Sequence, residues 1–408
     1  MLNGVLGRER RGTLWFLLYG AIYHIGMFGI GDVILNFYFV SLGYDAQTIS
    51  LLQSLPRVAG FLTSVPVSLI ANRIGSRRMI ALSNVGVVIA MLLPVFVPLL
   101  PIVAISRFLI GFSYGAQQIA SAPLMMTLVE KQSRTRFFAY NNVISLTAAA
   151  GGNFIGGHIP SWIDPLNPQS TYAYGVTLLI AALVTLLCIL PFSLIRTDAA
   201  PPVVESAHHE SRRTWGFLAF LALPMLIFGF TGGLTFPFYN LFFRSQFSLP
   251  DDMVGTIISI GWLGMGLIPL LNPFWEHHFG RARALAITMT IAACGFFALS
   301  LAPTLPLAVI AFAVGISFRN VMQPLYQPLV LDSLPRELHN NASGVSMVLW
   351  NVGWFTATAI SGSLQIALGY SAIMQIVAVG VLLTGIGVFA IFRKPRIISP
   401  IRLEEPTA

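Results

Sequence analysis

Charge is what this chain has least of. Only 9% of its 408 residues are Asp, Glu, Lys or Arg, whereas a soluble protein of this length carries about a quarter. So little charge cannot wet a surface, and the solvent must be lipid. Cysteine is as scarce. Cys188 and Cys294 are too few for a disulfide framework or a thiolate metal site and are expected to be buried free thiols. Long polar stretches are also missing; the longest, residues 196–213 (RTDAAPPVVESAHHESRR), reads as a linker. There is no H-E-x-x-H, no phosphate-binding G-x-x-x-x-G-K-[ST] and no nucleophile elbow, so neither an enzyme nor a bound cofactor or metal is expected.

What is present is apolar: 56% of the chain, with a mean hydropathy of +0.78. The apolar residues fall in runs of about 20 or more, the length a helix needs to cross roughly 30 Å of hydrocarbon. Backbone groups in lipid must bond internally, so uninterrupted runs of this length read as helices and not barrel strands. Twelve transmembrane spans are expected, at 13–40, 46–70, 79–99, 101–129, 137–160, 172–195, 215–242, 250–273, 284–301, 306–331, 342–367 and 370–392. The first is too long for a signal-peptide core and lacks a small-residue cleavage site. The result is an all-α membrane protein. Its expected parts are a six-helix bundle at 1–195, the linker 196–213, a second six-helix bundle at 214–395 and a tail at 396–408.

The net charge of +8 does not indicate nucleic acid, because the basic residues cluster between the apolar runs. Arg8, Arg10 and Arg11 precede the first span; Arg73, Arg77, Arg78, Lys131, Arg134, Arg136, Arg196, Arg212, Arg213, Arg281, Arg283 and Arg336 fall in alternate loops; Arg393, Lys394, Arg396 and Arg402 follow the last span. Arg244 falls on the opposite side, and Arg57, Arg107 and Arg319 fall within spans. By the positive-inside rule both termini are expected in the cytoplasm, which an even span count satisfies. A multi-pass protein of the cell inner membrane, working as a monomer, is the expectation.

Internal repetition is visible. Gly31-Asp32-x4-Phe37-Tyr38 in span 1 answers Gly232-Gly233-x4-Phe238-Tyr239 in span 7, an offset of 201. Gly75 with Arg77 and Arg78 after span 2 answers Gly280 with Arg281 and Arg283 after span 8, an offset of 205, and Gly111 answers Gly315 at 204. A steady offset points to two similar halves. The turn after span 2, from Ser68 to Arg78 (SLIANRIGSRR), resembles the loop signature G-x-L-A-D-R-x-G-R-K-R of the major facilitator superfamily, with Arg73, Gly75, Arg77 and Arg78 in place. Asn72 stands where the family carries an aspartate that helps lock one end state. Arg107-x3-Gly111-x3-Gly115 resembles the family's R-x-x-x-G-x-x-x-G. Gly152-Asn-Phe-Ile-Gly-Gly157 is close to the G-P-x-x-G-G associated with antiporters, with Asn153 in the proline's place. The resemblance implies two pseudo-symmetric six-helix bundles related about the membrane normal, with helices 1, 4, 7 and 10 lining a central cavity and helix 2 in the gating set.

Ionisable groups inside a span cost about 2.5–3.5 kcal/mol on insertion scales and usually face a cavity or a partner. Asp32 lies about 12 Å from the outer end of span 1 and Arg107 about 9 Å from that of span 4, counting 1.5 Å per residue. At matching depth they are candidates for an ion pair and for proton coupling. A carboxylate beside an arginine holds its charge; parted from it in a buried setting, it takes a proton. Arg57 and Arg319 lie about 16 and 20 Å deep, one in each half, and would form a cationic clamp for an anion. Helix-end carbonyls or neighbouring side chains are the alternative partners for these arginines.

Polar residues extend these faces. Arg319, Gln323, Tyr326 and Gln327 share one side of span 10 by their spacing, and Arg107, Gly111, Tyr114 and Gln118 share one side of span 4. Asn36, Trp350 and Asn351 are further substrate-binding candidates. At the cytoplasmic rim Glu130 is placed to meet Arg73 or Arg78, and Asp332 to meet Arg281 or His278; with Asn72 and Arg77 these form the expected gate. The function that follows is secondary active transport of a small organic solute by alternating access, coupled to protons and directed outward. An organic-anion exchanger or facilitator is the alternative within that class, and a non-transporting membrane sensor is the alternative outside it.

Overall fold

The computed structural model of the chain describes residues 10–195, 212–335 and 338–393. Most of the expected linker 196–213 and all of the tail 396–408 lie outside the described residues. Nearly everything described is helical. In chain order the elements are α1 (Arg10–His24), a π-helix (Ile25–Gly31), α2 (Asp32–Ser41), α3 (Ala46–Ile74), α4 (Ser76–Phe96), α5 (Leu100–Leu128) and α6 (Arg134–Ile163). There follow α7 (Thr171–Leu187), α8 (Ile189–Ser193), α9 (Arg212–Thr235), a 3₁₀ turn (Phe236–Phe238), α10 (Tyr239–Phe247) and α11 (Asp251–Leu267). The chain continues through α12 (Asn272–Phe279), α13 (Arg281–Ser300), α14 (Leu305–Arg319), α15 (Met322–Leu331) and α16 (His339–Phe392).

Among the described residues, eight helical segments are long and apolar enough to cross a membrane. The last, Asn341–Phe392, has 52 residues, about 78 Å of helix at 1.5 Å per residue and too long for one crossing. Gly369, at φ 76° and ψ 166°, divides it. Large apolar side chains point outward: Phe96 is 70% exposed and Ile310 62%, as a lipid-facing surface requires.

The residues sort into two compact units, Met1–Glu205 with Pro237–Gly266, and Ser206–Phe236 with Leu267–Ala408. In the first unit α5 packs on α3 and α4, and the π-helix packs on α6 and α7. Lipid tails are as apolar as leucine, so helices in a membrane associate through close packing and hydrogen bonds. The π-helix shows the close packing: a Cβ on Gly29 would sit 2.5 Å from the Gly152 Cα of α6. In the second unit α9 and α13 both pack along α16, and α13 also packs on α14.

The repeat has a backbone counterpart. Gly75 opens α4 at φ 85°, ψ 150° and Gly280 opens α13 at φ 73°, ψ 154°, a region open essentially to glycine alone.

Some expectations change. The first span is not one α-helix, because the glycine-rich stretch Ile25–Gly31 winds as π-helix. Span 10 breaks between α14 and α15, and span 7 tightens into a 3₁₀ turn before α10. Cys188 is a buried free thiol, but Cys294 is exposed: it sits on the outward, apolar face of α13.

Candidate functional site

The first unit holds three of the four charges expected within spans, Asp32, Arg57 and Arg107. Asp32 follows the π-helix directly, and its backbone N–H reaches back to the Met27 carbonyl, five residues earlier. Single π-turns of this kind re-aim the side chains that follow them and are frequent at functional sites. The Asp32 side chain reaches solvent-accessible space while protein crowds its remaining sides, and Arg107, then Arg57, are the charges that act on it. The expected ion pair between Asp32 and Arg107 is not formed: their charged nitrogen and oxygen atoms do not come within 4.0 Å. The Arg107 guanidinium, 7% exposed, instead donates to Gln53 Oε1 of α3 at 2.6 Å. A charge-assisted bond to an uncharged amide engages one end of the guanidinium without using the carboxylate, while its buried Nε has no hydrogen-bond partner among the described residues.

From Gln53 the hydrogen bonds run on. Gln53 Nε2 donates to Asn36 Oδ1 at 2.6 Å. Asn36 Nδ2 donates to the Pro237 carbonyl at 2.6 Å and to Asn240 Oδ1 at 2.9 Å. Asn240 Nδ2 donates to the Val33 carbonyl at 2.9 Å, and Asn240 Oδ1 also accepts the Leu241 N–H at 2.9 Å. Both asparagines are buried, so their satisfied amides conform to the rule that buried polar groups are paired.

Arg57 sits one helical turn beyond Gln53 on α3; Tyr114 of α5 and Asp32 are the groups that act on it electrostatically. Gln118 Nε2 donates to the Tyr114 hydroxyl, and Gln118 is exposed. The Tyr114 ring meets Phe28 edge-on at 5.2 Å, and Phe28 in turn stacks on His24 at 5.2 Å and lies 6.3 Å from Trp262. Charge, amides and aromatic faces thus share one part of the first unit, the mixture that small-molecule sites use.

A second polar group lies where α10 and α11 join this unit. The Tyr174 hydroxyl of α7 donates to Asp251 Oδ2 at 2.7 Å and accepts from Arg244 at 2.9 Å. Arg244 is 3.5 Å from the other Asp251 oxygen and lies 4.6 Å over the Phe37 ring.

In the second unit Arg319 ends α14 with 7% exposure. Its guanidinium donates to the Phe228 carbonyl at 2.6 Å and stands 4.0 Å over the Phe228 ring. Gln323 and Gln327 are exposed on α15, whereas Tyr326 is buried and donates to the Leu221 carbonyl at 2.8 Å. Gln327 reaches Ser343 at 3.5 Å. Trp350 lies 5.3 Å from the buried Trp354, and Asn351 donates to the Met347 carbonyl within its own helix at 2.9 Å.

Of the expected gate, Asn72 is carried on α3 and Arg73, Arg78 and Glu130 are exposed. Arg77 donates to the Ser193 carbonyl at 3.0 Å. Arg281 binds Glu276 at 2.5 Å and also bonds Asp332.

Charge and depth do not single out Gln53, Asn240, Tyr174 or Asp251, since the first two are uncharged and the last two sit at helix ends. The repeat does point to Asn240: the offset of 204 that pairs Gly111 with Gly315 also pairs Asn36 with Asn240.

A family model described as Major Facilitator Superfamily matches residues 16–232 and 221–406. The chain is 25% identical over 123 residues, 30% of its length, to the uncharacterized MFS-type transporter YdeE of Escherichia coli (strain K12), covering 31% of that protein. It is 29% identical over 108 residues, 26% of its length, to the niacin transporter NiaP of Acinetobacter baylyi (strain ATCC 33305 / BD413 / ADP1), covering 24% of it. Each match therefore spans less than a third of the relative's length. Among solved structures, a point mutant of the nucleoside transporter NupG superimposes with a TM-score of 0.73 at 15% identity, over 93% of this chain and 100% of that one; at that identity the likeness is one of fold.

Proposed function

The chain belongs to the Major Facilitator Superfamily and is a multi-pass membrane transporter, and from that premise we propose that it moves a small organic solute by alternating access, driven by protons. The observation that carries this reading is the setting of Asp32. It is a carboxylate at the end of a π-helix, open to solvent, under the influence of Arg107 and Arg57. Proton binding at such a carboxylate alters its attraction to both arginines, and a change in attraction between helices is what a conformational equilibrium responds to. Phe28 and Tyr114 supply apolar faces beside these charges, and Gln118 supplies an exposed amide.

The architecture we propose is twelve spans in two six-helix bundles, 1–195 and 214–395, joined by the cytoplasmic linker 196–213, with both termini in the cytoplasm and a cytoplasmic tail at 396–408. The distribution of Lys and Arg supports that orientation. We assign the transporter to the cell inner membrane, acting as a monomer. Export is the proposed direction, supported by the resemblance of Gly152–Gly157 to the antiporter pattern. Anion exchange is the second reading, favoured by the two arginines that act on one carboxylate.

The test is flux in inverted vesicles with and without a pH gradient, over a panel of organic anions, cations and neutral solutes. The expected result is that Asp32→Asn abolishes pH-driven accumulation while solute still binds. Unchanged pH coupling in that variant removes the proton reading, and saturable counterflow that ignores the gradient in the unsubstituted protein establishes the exchanger.

A further inference from the structure

We propose that Gln53 is a positioning residue of the transport cycle, passing the state of Arg107 to a hydrogen-bonded clasp between α2 and α10. The inference rests on the alternating-access reading but needs neither a known solute nor proton coupling.

The clasp is reciprocal. Asn36 donates to the carbonyl of Pro237, and Asn240 donates to the carbonyl of Val33. Asn36 and Asn240 are 204 positions apart, and Val33 and Pro237 are related by the same offset. Each side therefore offers the other the same pair of groups, the pattern of a two-fold contact in which i meets j and j meets i. The 3₁₀ turn Phe236–Phe238 leaves the Pro237 carbonyl free to accept, because a tightening helix end releases carbonyls from the regular ladder.

Gln53 gives this clasp a direction. A primary amide has one accepting and one donating end, and a guanidinium can only donate. Arg107 therefore holds Gln53 with Oε1 toward itself, which leaves Nε2 to meet Asn36 Oδ1. Asn36 is then obliged to turn its own NH₂ toward Pro237 and Asn240. Gln53 takes its orientation from one positive charge, and that orientation agrees with the ones the Pro237 carbonyl imposes on Asn36 and the Val33 carbonyl and Leu241 N–H impose on Asn240. An anion that draws the Arg107 guanidinium away, whether a solute carboxylate or Asp32 itself, frees Gln53 to turn. Once turned, it presents an acceptor to the acceptor of Asn36, and the clasp loses its support. On the alternating-access reading, opening of the site on this side parts α2 from α10, so occupancy of Arg107 would favour that opening.

The test uses the full chain in right-side-out vesicles. Val33→Cys, at a buried position beneath the clasp, reports opening through its labelling rate with a membrane-impermeant maleimide. The rate from a chain without Val33→Cys is subtracted to remove Cys294. Gln53→Glu keeps an acceptor for Arg107 and removes the donor to Asn36, so labelling is expected to rise about tenfold, a shift of about 1.4 kcal/mol in the opening equilibrium. Arg107→Gln alone is expected to raise it as well. Added to Gln53→Glu it is expected to change nothing further, because the link it acts through is already cut. A structural role for either residue predicts independent, multiplying effects, and that result overturns the proposal, as does an unchanged rate in both single variants. Should Gln53→Glu fail to reach the membrane, Gln53→Met carries the same cycle. Failure of the proton reading leaves these labelling rates untouched, so the two can fall separately.

Discussion

Asn36 and Asn240 each donate a side-chain N–H to the backbone on which the other stands, at Pro237 and Val33, and a third bond of 2.9 Å joins the two amides directly. Removing one partner strands groups on the other. The cost of an orphaned buried polar group is about 1–3 kcal/mol, and interhelical bonds in membrane proteins average nearer about 0.6 kcal/mol. Asn240→Ala should therefore lower stability by about 1 kcal/mol. The double change Asn36→Ala with Asn240→Ala should cost less than the sum of the two single changes, since the bond that joins the two amides is lost only once. Thermal unfolding of the four chains in one detergent checks this, and simple additivity would contradict the clasp geometry.

The paired turn glycines make a prediction about the repeat. Gly75 and Gly280 adopt the same positive-φ, extended-ψ conformation at the start of α4 and α13. Nothing lies within 4 Å of a Cβ built on either one, so an added methyl meets no neighbour and the whole penalty is backbone strain. Gly75→Ala and Gly280→Ala should each cost about 1–3 kcal/mol. Because the sites share no partners, the losses should add to within about 0.5 kcal/mol. Unequal costs, or strong coupling, would show that the two turns are not equivalent. Unfolding midpoints of the two single variants and the double variant decide it.

The residues themselves show which features a sequence exposes. Apolar runs reveal helices in lipid because the backbone has no other way to bond there. Arg107 and Arg319 stand out as charges within apolar runs for the same reason. What each guanidinium does is set by neighbours remote in the chain: Gln53 lies 54 positions from Arg107, and Phe228 lies 91 from Arg319. A search for charge passes over Gln53, which is neutral, although it occupies the midpoint of the buried network. The π-helix Ile25–Gly31 is equally hidden, since Gly26 and Gly29 read as packing glycines in any apolar run. Only their contacts with Thr185 and Gly152 show that α6 and α7 press on the segment that turns Asp32 toward solvent. The register of the repeat was partly legible. An offset of 201 aligns Phe37-Tyr38 with Phe238-Tyr239, whereas the asparagines that touch are 204 apart.

Asp251, Arg244 and Tyr174 supply the last prediction, which turns on which member of the group is buried. The Asp251 side chain is 4% exposed and that of Arg244 21%. Asp251 Oδ1 receives no hydrogen bond among the described residues and depends on Arg244 at 3.5 Å. Arg244→Ala therefore leaves a buried carboxylate with only the Tyr174 hydroxyl, and breaking a buried pair in this way costs about 3 kcal/mol. Asp251→Asn is milder, about 1 kcal/mol, because Arg244 retains the Tyr174 oxygen, the Phe37 ring and some solvent. Tyr174→Phe removes one donor and one acceptor together and should fall near the milder value. Combining Arg244→Ala with Asp251→Asn should recover much of the loss, since no charge then remains buried. Thermal unfolding of the three single variants and the double variant measures the order. If Asp251→Asn proved costlier than Arg244→Ala, the group would be held by the attraction of the pair, and not governed by the burial of one charge.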